Sequence, residues 1–266
     1  MMSNASFCRL RAGFRFLVPV LAFLLCGGLS EVSFKSSKIT GFKGGDDAEE
    51  IEVTGHFAKP DGAGPFPAVV LLYACGGLKP HVTEDWPDLL TKKGYATFTV
   101  DTLGARNATN CLDLEDRDDH MTRDALGALD FLAKRADIDP RRIGAMGFSY
   151  GANVVNAMAM FDYRSAQKRR FRAGIAVYGR CKHYALPAFP LMEIIGDQDR
   201  AMVDCLEYRD VGAQVEVIKG AYHAFDQSQI RRMRVVAGDH NAIYSQEATE
   251  QAEKLALRFL ETHLAK

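Results

Sequence analysis

The first sustained alternation of apolar and polar residues is Ile51-Glu52-Val53-Thr54-Gly55-His56-Phe57. Its period is that of an antiparallel edge strand, and Lys59-Pro60-Asp61-Gly62 ends it with turn chemistry. The next run, Phe66-Pro67-Ala68-Val69-Val70-Leu71-Leu72-Tyr73, has no polar face, as expected of a strand covered by helices on both sides. Beyond it the pattern predicts a helix near 85–93, a strand over 95–100, a loop to about 120 and a helix over 121–134. Strand 143–147 and helix 150–161 follow, then strands 173–177 and 191–195, a helix near 202–210, strand 214–218 and a long amphipathic helix over 245–264. Strands alternating with helices imply an α/β fold, a doubly wound and mostly parallel sheet, with any site outside the carboxyl ends of its strands. The loop over 101–119 is long for a compact domain, and such loops often cover sites.

The N-terminus reads differently. Arg9, Arg11 and Arg15 precede the apolar run 16–25, and the small residues Gly27, Gly28 and Ser30 follow it. This order is that of an export signal over residues 1–30, cleaved after Gly28 or Ser30, and the run is short for a bilayer span. The alternative is an uncleaved anchor that tethers the protein to a membrane. Leu25 before Cys26 argues against lipoprotein processing. Residues 31–50 are polar, with the acidic cluster Asp46-Asp47-Ala48-Glu49-Glu50, and read as a flexible lead-in to a single domain over 51–266.

Composition is that of a globular protein, with 47% hydrophobic and 25% charged residues, which excludes disorder and fibre. Removal of residues 1–30 takes away three arginines and no acid, so the mature chain is mildly acidic. It offers no electrostatic reason to expect nucleic acid or an anionic membrane as a partner. Cys75, Cys111, Cys181 and Cys205 remain, an even set in a chain bound for an oxidising compartment, so disulfides are expected. Four cysteines allow three pairings. Cys75 with Cys111 and Cys181 with Cys205 is favoured, because it would tie loops together at the end of the sheet that carries the site. The spacings fit no zinc ribbon or redox CxxC, and neither metal nor cofactor is expected.

Candidate chemistry centres on Gly147-Phe148-Ser149-Tyr150-Gly151, between a predicted strand and a predicted helix. A serine hydroxyl needs a base to take its proton and amides to receive an oxyanion, and a tight strand-to-helix turn presents it to both. In such folds the chain order is nucleophile, acid, histidine. After Ser149 the histidines are His183, His223, His240 and His263. His263 lies on the last helix and is expected to be solvated, whereas His223 directly follows a strand and is the best base. Gly196-Asp197-Gln198-Asp199 offers two carboxylates after strand 191–195. Asp199 lies deeper in the turn and is preferred, with Asp197 as its rival or a turn cap. The oxyanion amides would be those of Tyr150 and of Cys75, in the loop Tyr73-Ala74-Cys75-Gly76-Gly77-Leu78.

The chain resembles the dienelactone hydrolase family of α/β-hydrolases, in an exported, serine-nucleophile form. The likeness rests on the segments 64–72 with Cys75-Gly76-Gly77-Leu78, Val100 to Arg106 with Cys111, and 124–132. It continues through 137–144 before the Ser149 pentapeptide, Gly196 to Asp199 with Cys205, and 219–226. The resemblance implies a hydrolase of carboxylic esters or lactones acting through an acyl-enzyme, on small molecules, as a monomer or dimer. The family's best-known enzyme carries cysteine where Ser149 stands, so its lactone substrate does not transfer. Many relatives have His-Gly before the oxyanion residue; Tyr73-Ala74 here implies different bracing. Arg106 resembles a recurrent arginine that could bind a substrate carboxylate, or else form a structural salt bridge. Alternatives are a serine peptidase or acyltransferase with the same triad, or a non-catalytic binding or envelope protein on this scaffold.

Overall fold

In a computed structural model the described residues are 30–38, 49–160, 169–182, 185–230, 235–237 and 240–265. The expected export signal lies outside them except for Ser30, as do Cys8, Cys26 and His183. The strands are β1 (Ser30–Lys35), β2 (Glu52–Ala58), β3 (Phe66–Leu72), β4 (Ala96–Asp101) and β5 (Ile138–Phe148), then β6 (Gly174–Val177), β7 (Leu191–Gly196), β8 (Gln214–Ile218), β9 (Val235–Ala237) and β10 (His240–Ala242). The helices are α1 (Trp86–Lys92), α2 (Arg117–Leu132), α3 (Tyr150–Met160), α4 (Met202–Leu206) and α5 (Gln246–His263).

The apolar run of β3 lies inside an eight-stranded sheet of order β1-β2-β4-β3-β5-β6-β7-β8. The first two strands pair antiparallel, and β2 pairs antiparallel with β4; from β4 to β8 every pairing is parallel. Strand alternation sorts the helices onto two faces. A Cβ at Gly147 would meet the backbone of Gly151 in α3, whereas one at Gly144 would approach Leu260 and Leu264 at the end of α5. Residues an odd number apart on a strand face opposite ways, so α3 and α5 cover opposite sides. Trp86, at the start of α1, joins α5's side through its ring contact with Phe148, while α2 packs beside α3. The sequence reading of a doubly wound α/β fold therefore holds.

Local differences have physical causes. Residues 31–35, expected to belong to a flexible lead-in, form β1 together with Ser30, because Phe34 is buried against the ring of Phe98 at 5.3 Å. Residues 39–48 of that lead-in lie outside the described residues. Helix α2 begins at Arg117, a turn before the apolar periodicity starts, with Asp118 and Asp119 in its first turn, where carboxylates favour the helix dipole. Strand β5 runs from Ile138 through Pro140, which the turn-like Asp-Pro pair concealed. The β9–β10 hairpin was not expected from sequence, its strands being three residues each. No helix among the described residues is long and apolar enough to cross a membrane.

Candidate active site

The turn between β5 and α3 places Ser149 at φ 52°, in the left-handed region. Three hydrogen bonds fix it there. The Ser149 N–H donates to Val177 O at 2.9 Å, Gly151 N–H to Tyr73 O at 3.1 Å, and Asn153 N–H to Ser149 O at 3.1 Å. Both flanking glycines are sterically required: a Cβ at Gly147 would lie 2.2 Å from Gly151 O, and one at Gly151 would lie 2.2 Å from Leu72 O. The helix-start amide of Tyr150 and the end of β3 are thereby brought side by side.

His223 follows β8 in a loop that bridges to Ala242, and Ile243 N–H donates to His223 O at 3.2 Å. The unanticipated hairpin thus supports the loop that carries the histidine. His223 Nε2 lies 2.8 Å from Ser149 Oγ, and Nδ1 lies 2.7 Å from Asp199 Oδ2. With Nδ1–H donated to the carboxylate, Nε2 is left to accept the serine hydroxyl. The Asp199 side chain is fully buried and that of His223 is 16% exposed. The other Asp199 oxygen accepts Ala201 N–H at 3.0 Å. Asp197 instead accepts Gly220 N–H at 2.7 Å and acts as a turn cap. The loops after β7 and β8 meet closely because Gly196 has no side chain: a Cβ there would sit 2.0 Å from Ala221 O.

Behind His223 stands a group that the sequence reading missed. The Tyr178 ring meets the imidazole edge-on at 4.9 Å, and its hydroxyl donates to Asp226 Oδ1 at 2.6 Å. Trp86 Nε1 donates to the other Asp226 oxygen at 2.9 Å. Burial, with the Asp226 charge beside it, pushes the Tyr178 hydroxyl well above its ordinary pKa, so it stays a donor. The signal was faint: Asp226 lies three residues after His223, but Tyr178 and Trp86 come from distant elements.

The structure also supplies the bracing that replaces His-Gly. Leu103 N–H donates to the Tyr73 hydroxyl at 2.6 Å, and that hydroxyl donates to Asp101 Oδ1 at 3.3 Å. Cys75 is joined to Cys111, whose N–H donates to Cys75 O at 2.9 Å. Cys181 is joined to Cys205, so both pairs match the favoured arrangement. Cys181, Glu193 and Cys205 converge within 4.8 Å, but with the two sulfurs bonded to each other they offer no thiolate pair to a metal.

Arg106 does not face the serine as a free guanidinium. It is held bidentate by Asp124 at 2.7 and 3.1 Å and donates to Thr102 O at 2.8 Å, so the salt-bridge alternative is the one realised. His263, expected to be solvated, packs on the Phe259 ring at 4.4 Å. A second buried acid, Glu193 of β7, accepts from Asn156 Nδ2 at 3.0 Å and Gly179 N–H at 2.8 Å. Its signal was a lone charge within the apolar run 191–195.

The family model of the dienelactone hydrolase family matches residues 53–264. Among curated proteins no significant match was found. Similar solved structures include a dienelactone hydrolase-like promiscuous phosphotriesterase from metagenomic libraries (17% identity, TM-score 0.68, covering 89% of this chain and 99% of that one). A dienelactone hydrolase from Anabaena variabilis is similar at 17% identity and TM-score 0.60, over 88% and 98% of the two chains. A propionate-bound esterase from Thermogutta terrifontis is similar at 16% identity and TM-score 0.56, over 78% and 90%. At these identities the structural likeness establishes the fold, whereas the family match, over most of the chain, establishes descent: this chain belongs to the dienelactone hydrolase family of hydrolases.

Proposed function

We propose that the protein hydrolyses carboxylic esters or lactones of small molecules, with Ser149 as nucleophile, His223 as general base and acid, and Asp199 orienting the imidazole. The observation that carries this reading is the continuous hydrogen-bonded chain from Ser149 Oγ through His223 to buried Asp199. His223 takes the Ser149 proton as Oγ attacks the carbonyl carbon. The amides of Tyr150 and Cys75 stabilise the tetrahedral oxyanion. His223 returns the proton to the leaving alkoxide, and water then cleaves the acyl-enzyme by the reverse path. Residues 1–30 act as an export signal, and two disulfides suit the oxidising compartment that export implies.

Ser149→Ala tests the core of this reading. The wild type should react with a fluorophosphonate probe and turn over p-nitrophenyl acetate. The variant should fail to label and lose roughly 10⁴-fold or more in kcat, in keeping with loss of a triad nucleophile. Folded, oxidised wild type that neither labels nor turns over would refute it.

A further inference from the structure

We infer that Tyr178, anchored by Asp226 and Trp86, is a positioning residue that sets the tilt of the His223 imidazole and acts chiefly while the acyl-enzyme is hydrolysed. The inference rests on the proposed hydrolase reading. His223 meets Asp199 through Nδ1 and Ser149 through Nε2. Two such bonds fix a line through the ring, and its tilt about that line is left to what packs beside it. The Tyr178 ring supplies such a contact, with centroids 4.9 Å apart and planes at 60°.

That contact is held from behind. The Tyr178 hydroxyl donates to Asp226 Oδ1 at 2.6 Å, and Trp86 Nε1 donates to Oδ2 at 2.9 Å. Phe225 meets the Tyr178 ring edge-on at 5.3 Å. Tyr178, Trp86 and Asp226 are 1%, 2% and 3% exposed, so the anchor is shielded from water. The end of β6, the start of α1 and the loop after β8 thus converge on one phenol. The backbone is an independent sign. Tyr178 has φ 46°, and Ala224, next to His223, has φ 53°. Glycine takes this left-handed region freely, whereas a bulky residue there is an outlier that persists only where its surroundings over-determine it. Glycine stands one position later, at 179, and the strained position carries a tyrosine instead. What that side chain does is join Asp226 to His223.

The contact matters most after acylation. Ser149 Oγ is then esterified and has no proton to share, so Nε2 loses the hydrogen bond that held it. Water attacks the acyl carbon while Nε2 takes its proton; that proton passes to Oγ as the acyl C–O bond breaks and the free acid leaves. An imidazole that rocks during this interval is misplaced for the incoming water.

The test is turnover of p-nitrophenyl acetate by Tyr178→Phe, which keeps the ring and removes its anchor. Its kcat should fall roughly tenfold or more, with KM falling alongside as acetyl-enzyme accumulates. Decay of the acetyl-enzyme, followed by intact mass, should slow by the same factor, whereas fluorophosphonate labelling should slow by less than about threefold, since it reports acylation alone. Asp226→Ala should behave likewise, and Asp226→Asn, whose amide oxygen can still accept the hydroxyl, should restore part of the rate. This pair decides the matter if Tyr178→Phe does not fold. Unchanged kcat, or labelling and kcat/KM reduced as far as kcat, overturns the inference. A second measurement separates it from the hydrolase reading. In Ser149→Ala protein, which lacks the Oγ bond as the acyl-enzyme does, the downfield proton resonance of His223 Nδ1–H should broaden when Tyr178→Phe is added. That result supports the positioning role even if no ester is cleaved. A resonance that Tyr178→Phe leaves unaffected overturns it even if the wild type is an active esterase.

Discussion

Glu193 and Arg106 are ionisable side chains that the fold holds away from water, and both act on the scaffold. The Glu193 carboxyl is pushed up to about 8, chiefly by burial, with the Asp199 charge adding to the rise and the Asn156 and Gly179 hydrogen bonds opposing it. Its folded pKa exceeds the ordinary 4.5, so between those values the folded chain holds a proton that the unfolded chain has released. Stability then falls as pH rises from about 4.5 to about 8, and the decline levels off above. Glu193→Gln should remove that contribution. The Asn156 amide can turn its unpartnered Oδ1 toward the new side-chain N–H. Urea midpoints at pH 5 and pH 9 should shift in the variant's favour as pH rises, and parallel pH profiles would count against this account. At Arg106 the expectation is structural. Its side chain is 10% exposed and that of Asp124 fully buried, and burial raises the Asp124 carboxyl while Arg106 opposes the rise. Arg106→Gln strands a buried acid and should cost about 3–5 kcal/mol. Denaturant unfolding checks this; a raised KM at unchanged stability would return Arg106 to substrate binding. Arg106 and its partner are 18 positions apart, and no periodicity in the chain links them.

Elements were legible where pattern and burial agree. The apolar run of β3, the alternation of β2 and the amphipathic α5 are read directly, because their periods follow from the faces they bury. The β5–α3 turn was legible for a stricter reason: glycine occupies two positions where any side chain collides with backbone. Gly151→Ala should therefore cost on the order of 3 kcal/mol or more, since the obstructing atoms belong to central strand β3 and cannot rotate away. A melting temperature within a degree or two of wild type would show that the turn can open. By contrast, β1 and the β9–β10 hairpin escaped notice. Each is short, and pairing rather than composition makes it a strand: β1 needs β2, and β9 and β10 need each other.

Across the whole molecule, the disulfides act at one end of the sheet. One ties the Cys75 loop to the segment after β4, and the other ties the turn after β6 to the helix after β7, with sequence separations of 36 and 24. Loop closures of that size stabilise by about 2–4 kcal/mol each. Replacing Cys181 and Cys205 by serine should lower the unfolding free energy by about that amount. An unchanged denaturant midpoint in oxidised buffer would contradict it. The sequence by itself determined the α/β order, the serine turn, and the succession of serine, acid and histidine, because these depend on local periods, glycine sterics and the fixed end of a parallel sheet. It also favoured the cysteine pairs, though without excluding other pairings. Only the tertiary structure decided that Asp199 rather than Asp197 meets His223, that Tyr178 and Asp226 back the imidazole, and that Arg106 belongs to Asp124. Those outcomes depend on angstrom-scale distances between loops far apart in the chain, and one-dimensional patterns of burial do not encode such distances.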